Sequence, residues 1–167
     1  WAWIQLFSFL RLAKVQRVAP IAHRVAGKQQ LDMDTAIAIL NNRFQIMAQY
    51  RKLVIAPLVK QELAKADVSV RHLFRRAKRL LSRETSLLSE QHEARIAAML
   101  AQSQALKVIY EKRLALQQIW LKTSANGHEM LAAISDWVHE AEASGIQSLR
   151  EFALQLQTYS LRPASAH

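Results

Sequence analysis

The sequence predicts an all-α protein, a multi-helix bundle of about six helices with a short aromatic amphipathic helix ahead of it. Apolar residues recur at intervals of three and four through most of the chain, which is the spacing of one helix face. The chain has 3 Gly and 3 Pro in 167 residues, too few turn residues for a sheet architecture. A hydrophobic content of 51% suits one domain with a substantial core.

The chain opens on an aromatic and basic segment, WAWIQLFSFLRLAK, over residues 1–14. Its apolar run is about twelve residues, shorter than the roughly twenty that cross a bilayer. A Trp-rich run followed by Arg and Lys is typical of a helix at a membrane surface, and a core helix fits the composition equally well. The membrane alternative predicts contacts with anionic lipid through six side chains: Trp1, Trp3, Phe7, Phe9, Arg11 and Lys14.

Residues 15–33 are predicted to be a linker, because Pro20 and Gly27 occur there without helical periodicity. A helical domain is expected over residues 34–163, since helical spacing recurs along that whole stretch. The sequence therefore divides into a membrane-interfacial segment, a linker and one helical domain.

The first helix of this domain is expected to begin at Asp34, a residue type that caps helix N-termini. Pro57 lacks a backbone N–H, so it should kink or break that helix near Ile55. The apolar pattern resumes after the proline and ends near Asp67.

Residues 70–83 form the most distinctive predicted helix, with Ser69 as its expected N-cap. One face carries the apolar stripe Val70, Leu73, Phe74, Ala77, Leu80 and Leu81. The remaining positions are mainly basic: Arg71, Arg75, Arg76, Lys78, Arg79 and Arg83. No acid occurs from Val68 to Arg83. Such a helix can dock on anionic lipid, contact nucleic-acid phosphates, or pack its stripe in the core and leave the cations in solvent.

The later helices have expected N-caps at Ser89, Ser103 and Asn126. Ser144-Gly145 is expected to end the next-to-last helix, because Gly is favoured just past a helix C-terminus. Pro163 should end the last one.

The net charge of +10 is concentrated in the first half of the chain. Residues 1–83 contain 16 Lys and Arg against 4 Asp and Glu, and residues 84–167 contain 7 against 9. This asymmetry indicates a polyanionic partner for the first half, either an anionic membrane surface or nucleic acid.

Ser, His and acidic residues are plentiful, but they form no motif of catalysis or metal binding. There is no Cys, and no two of the six His lie within five residues of each other. Asp136 and His139 share a helix face, but a carboxylate-bridged di-iron bundle needs two Glu-x-x-His motifs and two further Glu. The three Gly lie far apart, so there is no phosphate-binding Gly-rich loop. We therefore expect no catalytic residue, no metal ligand and no cofactor in this segment.

The opening stretch, WAWIQLFSFLRLAKVQRVAP, resembles the region just after the third histidine box of bacterial membrane fatty-acyl desaturases. The remaining chain is similar to the long C-terminal extension of the proteobacterial members. Four pieces carry this similarity: Met33–Thr35, Asn42–Ala48, Gln61–Ala66 and Ala141–Leu149.

This resemblance implies a non-catalytic, C-terminal helical region of a multi-pass di-iron desaturase, an oxidoreductase of unsaturated fatty acid biosynthesis. The iron-binding histidine boxes of the parent enzyme would lie upstream of Trp1. The implied partners are the rest of the desaturase membrane domain and an anionic membrane surface. The implied location is the cytoplasmic face of the inner membrane, in agreement with the basic first half.

Residues 88–157 are also similar to part of insertion-sequence transposases of the three-carboxylate type, most clearly at EASGIQSLREFALQL. In those proteins a comparable helical stretch precedes the segment with the last catalytic acid, which does not follow here. This second resemblance implies the alternative function, a helical module that binds nucleic acid.

Overall fold

The computed structural model describes residues 33–122 and 127–158, and every regular element within them is helical. The all-α prediction is therefore confirmed, because the three-to-four residue spacing of apolar side chains is that of a buried helix face. These helices belong to the compact unit Leu31–His167. The predicted interfacial segment 1–14, residues 15–32 of the predicted linker, and the expected Asn126 and Pro163 signals lie outside the described residues.

The first predicted helix is divided in two. α1 spans Met33–Asn41, starting one residue before the expected cap, and α2 spans Arg43–Tyr50. Between them, Asn42 donates from its side-chain amide to the Ala38 carbonyl at 2.9 Å. An Asn side chain that bonds to nearby backbone competes with helical hydrogen bonding, which accounts for the interruption.

Pro57 distorts the following helix but does not end it. Residues Arg51–Ile55 are π-helical, and α3 continues directly over Ala56–Lys65 with Pro57 in its first turn. A π-helical turn bonds each carbonyl to the fifth residue onward instead of the fourth, so the winding changes where the proline N–H is missing. The predicted position of the distortion is correct, and its form is a π-helical turn.

Residues 70–83 do not form the single helix that the stripe predicts. α4 spans Arg71–Phe74 and α5 spans Ala77–Leu80, and between them Arg76 has φ −114° and ψ 12°, outside the helical region. Like charges three and four residues apart destabilise a helix, and this stretch has no acid to offset them. The apolar stripe still packs inward, because four of its members are buried: Phe74, Ala77, Leu80 and Leu81.

A 3₁₀ turn at Thr85–Leu87 leads into the longer helices. α6 spans Glu90–Gln102, and α7 spans Gln104–Leu121. α8 spans Gly127–Ala143, and α9 spans Gln147–Thr158.

Two predicted N-caps and one predicted stop are confirmed. The Ser89 hydroxyl accepts from the His92 backbone N–H, and the Ser103 hydroxyl accepts from that of Leu106 at 3.2 Å. Beyond the end of α8, Gly145 adopts φ 76°, a left-handed conformation that costs glycine little. The predicted cap at Ser69 is wrong, because Val70 precedes α4 and no side chain caps it.

The centre of the core is a cluster of three aromatic rings on different helices. Tyr50 lies 5.1 Å from Phe152 and 6.3 Å from Trp137, and Trp137 lies 6.0 Å from Phe152, all edge-on. Tyr50 donates its hydroxyl to the Ile109 carbonyl at 2.6 Å, and the Trp137 indole donates to the Lys112 carbonyl at 2.8 Å. The cluster thereby joins α2, α7, α8 and α9 through both apolar area and satisfied polar groups.

Candidate nucleic-acid interface

The predicted basic residues lie on the surface of the protein. α4 and α5 contact α3 on one side and α6 on the other, and their apolar stripe faces inward. All six predicted cations are exposed: Arg71, Arg75, Arg76, Lys78, Arg79 and Arg83. The stripe thus packs in the core and the cations lie in solvent, which is the third arrangement that the sequence allowed, and the cations are accessible to a polyanion.

The first part of this surface is a shallow depression between α3 and α4. It has a volume of about 430 Å³ and is lined by Lys60, Leu63, Ala64, Arg71 and Arg75. The Arg71 guanidinium donates from Nε to the Ala66 carbonyl at 3.0 Å, which fixes its direction across the short connection between the helices. Two arginines and one lysine therefore meet on a floor of aliphatic side chains.

The second part lies between α5 and α6. A smaller depression of about 80 Å³ is lined by Arg76, Arg79, Leu80, Arg83, His92 and Arg95. His92 is half-buried because its ring belongs to the N-cap of α6, where its Nδ1 lies 2.8 Å from the Ser89 hydroxyl. This depression therefore collects four guanidinium groups beside one imidazole.

We define the basic surface as the eight exposed cations of this region: Lys60, Arg71, Arg75, Arg76, Lys78, Arg79, Arg83 and Arg95. No carboxylate lines either depression. Within the described part of the chain, ion pairs instead involve other lysines, such as Lys65 with Glu62 and Lys107 with Glu111. Unpaired like charges repel one another, and a polyanion bound across them offsets that repulsion.

Lys60 and Arg95 are the members of this surface that the sequence prediction missed. They lie on α3 and α6, so they join the others only because those helices pack on either side of α4 and α5. No local spacing in the sequence connects them with residues 71–83. The other predicted contact residues lie outside the described residues: Trp1, Trp3, Phe7, Phe9, Arg11 and Lys14.

The one carboxylate–histidine pair considered from the sequence lies on the surface of α8. Asp136 and His139 are both exposed, and His139 Nδ1 lies 2.8 Å from the Ser135 carbonyl. Over residues 33–122 and 127–158, no three His, Cys, Asp or Glu residues are grouped to hold a metal ion. None of the helices in those ranges is long and apolar enough to cross a membrane.

Comparison with known families gives one result that covers most of the chain. Residues 34–162 match the transposase family DDE ISL3. No curated protein and no solved structure matches this chain. The matched range contains all of the basic surface and the whole of the 88–157 stretch that resembles transposases.

The assignment to a fatty-acyl desaturase, with its oxidoreductase and membrane terms, is therefore wrong, because the chain matches a transposase family instead. Three of the four pieces that suggested it lie inside the range that matches the transposase family. Short runs of Ala, Gln, Leu and Ser are common on helices, so scattered pieces of this kind carry little information. A continuous match over more than three quarters of the sequence outweighs them. The chain belongs to the ISL3 family of transposases.

Proposed function

We propose that this helical region binds DNA through the basic surface, as the nucleic-acid-binding module of a transposase. The observation that carries the proposal is the gathering of eight exposed cations from α3, α4, α5, α6 and the turns that adjoin α4 and α5, with no carboxylate lining the two depressions. Membership of a transposase family supports DNA as the polyanion, because such proteins act on DNA.

The composition of the surface favours contact with the phosphate backbone. Six of its eight members are Arg, whose planar guanidinium pairs with two phosphate oxygens at once. Amide side chains, which read base edges, are absent from the lining of both depressions. Phosphate contacts position a protein on a duplex without reading its sequence. Binding through this surface is therefore expected to be salt-sensitive and largely independent of sequence.

The test compares two variants that change the net charge equally. Arg75→Glu/Arg76→Glu/Arg79→Glu reverses the centre of the basic surface. Lys52→Glu/Lys107→Glu/Arg150→Glu reverses three exposed cations that line neither depression. Fluorescence anisotropy with a labelled duplex of mixed sequence, at several salt concentrations, measures the dissociation constant and its salt dependence.

We expect the basic-surface variant to lose at least tenfold in affinity. The slope of log K against log salt should become shallower by about 3, since each lost phosphate contact contributes about 0.9. The control variant should retain most of its affinity. Equal losses in the two variants, or no duplex binding by the parent protein at low salt, would overturn the proposal. Anionic liposomes serve as a second polyanion, and tighter binding to them than to DNA would also contradict it.

A further inference from the structure

The depression between α5 and α6 is the smaller of the two on the basic surface. Its volume is about 80 Å³, against about 430 Å³ for the depression between α3 and α4. A water molecule takes up about 30 Å³ in the liquid, so the α5–α6 depression has room for one compact group and none for a nucleobase. The two depressions therefore differ in the size of the ligand group that each can take up.

The smaller depression also has the larger number of cations. Its lining supplies four guanidinium groups and one imidazole, from Arg76, Arg79, Arg83, Arg95 and His92. The lining of the α3–α4 depression supplies three cations, from Lys60, Arg71 and Arg75. Four cations around so small a volume repel one another, and an anion with more than one charge offsets that repulsion most when it lies between them.

The acids nearest in the chain do not lie among these arginines. Glu84 follows Arg83, and Glu90 and Glu93 lie in the first turn of α6, but all three are exposed and outside the lining of the depression. The ion pairs between described residues involve Lys65, Lys107 and Lys112, and none of the four arginines. The guanidinium groups are therefore available to an anion from outside the chain.

His92 adds a neutral donor, because the N-cap of α6 fixes the state of its ring. Its Nδ1 lies 3.4 Å from the Ser89 backbone nitrogen and 2.8 Å from the Ser89 hydroxyl. A backbone N–H can only donate, so Nδ1 accepts and the neutral ring carries its proton on Nε2. Nε2 is on the other side of the ring from the cap, and its N–H is the one ring donor left for an anion in the depression that His92 lines.

We propose that the α5–α6 depression binds one phosphomonoester group, supplied by the end of a DNA strand. A phosphomonoester carries about 1.5 to 2 negative charges near neutral pH, whereas each phosphodiester inside a strand carries one. It also has three oxygens without a carbon substituent, which can accept paired bonds from guanidinium groups and a further bond from the imidazole. The strand end as the source rests on the proposed DNA binding, and the monoester site itself does not.

The first test uses two small anions and the whole protein. Methyl phosphate is a monoester, and dimethyl phosphate is a diester with a single charge. Titrations are followed through the NMR signals of the His92 ring and of the arginine Nε–H groups. We expect methyl phosphate to shift the His92 Nε2 signal with saturation, and dimethyl phosphate to reach no saturation over the same concentrations. Equal responses to the two anions, or a His92 signal that does not move, would overturn the site.

The second test compares short blunt duplexes of one sequence that carry a phosphate at the 5′ ends, at the 3′ ends or at neither. Fluorescence anisotropy measures the three dissociation constants. For the parent protein we expect at least one phosphorylated duplex to bind about tenfold more tightly than the unphosphorylated one, the effect of one added charge-assisted interaction. Equal affinities for all three duplexes would overturn the proposal.

Two variants with the same loss of charge separate the depressions. Arg83→Gln/Arg95→Gln removes cations that line only the α5–α6 depression, and Arg71→Gln/Arg75→Gln removes cations that line only the other. The first variant should bring the affinity ratio between phosphorylated and unphosphorylated duplexes close to one. The second should weaken binding of every duplex and keep the ratio.

His92→Gln tests the imidazole separately from the cap. A Gln three residues after a Ser N-cap can complete a capping box, so this variant should remain folded, which circular dichroism checks. The preference for the terminal phosphate should fall by about threefold, the effect of one lost hydrogen bond. An unchanged preference would show that the imidazole does not contact the phosphate and would contradict its part in the site.

Failure of this proposal differs from failure of the DNA-binding proposal. Equal binding of all three duplexes, with affinity lost in Arg75→Glu/Arg76→Glu/Arg79→Glu, would overturn the phosphomonoester site and leave DNA binding intact. A preference for phosphorylated ends that survived in Arg83→Gln/Arg95→Gln would also overturn the site. Saturable methyl phosphate binding by a protein that binds no duplex would support the site and overturn the strand end as its source.

Discussion

The α4–α5 region and the α8–α9 pair follow the same apolar rule and differ in their polar positions. Both bury a stripe at helical spacing. α8 carries four acids and no Lys or Arg over 17 residues, α9 carries one Arg and one Glu over 12 residues, and the polar positions of α4 and α5, with 4 residues each, are almost all cations. The stripe therefore determines which face of a segment packs inward, and the polar positions determine what charge the segment displays.

The polar groups of the two regions also differ in whether they have partners. Trp137 and Phe152, on α8 and α9, contact Tyr50 in a cluster whose polar groups are satisfied. The cations of the basic surface have no carboxylate beside them in the depressions they line. Stability is thus expected to depend on the first region and polyanion binding on the second, and four substitutions test that division.

The largest expected effect is that of Phe152→Ala in the aromatic cluster. Phe152 is 0% exposed, so truncation should lower the free energy of unfolding by about 3–5 kcal/mol. Urea denaturation followed by circular dichroism measures this change. Leu154→Ala, at a residue 49% exposed on the same helix, should cost less than about 1 kcal/mol. Similar losses for both would show that the cluster is not the centre of stability.

Tyr50→Phe should cost about 1 kcal/mol at neutral pH, because it removes the hydrogen bond to the Ile109 carbonyl. Burial raises the pKa of Tyr50 above its ordinary value of 10.0, with Arg113 opposing the shift. The unfolded chain therefore ionises this hydroxyl at a lower pH than the folded one does. The stability that it contributes is present below about pH 10 and is lost as the pH rises further.

The parent protein should consequently lose stability above pH 10 more steeply than Tyr50→Phe, by up to about 1.4 kcal/mol per pH unit. Denaturation curves for both proteins between pH 9 and 11 (about one unit on either side of the ordinary tyrosine pKa) measure the difference. Parallel pH profiles would contradict the buried, neutral state of Tyr50.

Gly145→Ala should cost about 1 kcal/mol at the turn between α8 and α9. Gly145 has φ 76°, and no atom lies within 4 Å of an added Cβ, so the cost comes from the backbone conformation alone. Gly145→Asn should cost less, since Asn tolerates the left-handed region better than Ala does. Thermal melts rank the two variants by stability. A larger loss of stability for Gly145→Asn than for Gly145→Ala would refute this explanation.

The smallest expected change in stability is that of Arg75→Gln/Arg76→Gln/Arg79→Gln. Removing three cations that repel one another should leave the free energy of unfolding unchanged or raise it by about 0.5 kcal/mol, while DNA affinity falls. Lys112→Gln, which breaks an ion pair with Glu140, should instead cost up to about 1 kcal/mol. Destabilisation of the triple variant by more than 1 kcal/mol would show that these arginines stabilise the fold. It would then be wrong to assign stability to one region and polyanion binding to the other.

Sequence signals for helix ends predicted the structure correctly where the interactions involved are between near neighbours in the chain. Ser89 and Ser103 cap their helices and Gly145 follows the end of α8, as predicted, because each signal involves neighbours within a few residues. The transposase resemblance at residues 88–157 agrees with the family match. The desaturase resemblance failed because it relied on short scattered pieces, and its opening stretch lies outside both the family match and the described residues.

The sequence by itself determined the helical class, the inward stripe of residues 70–83 and the basic character of its other positions, because hydrophobic spacing and charge are local properties of the chain. The tertiary structure decided the division of that stretch into α4 and α5 and the recruitment of Lys60 and Arg95 from neighbouring helices. It also decided that His92, which belongs to the N-cap of α6, lies in the same depression as four arginines. Each of these depends on which distant helices pack together, and no spacing along one segment contains that information.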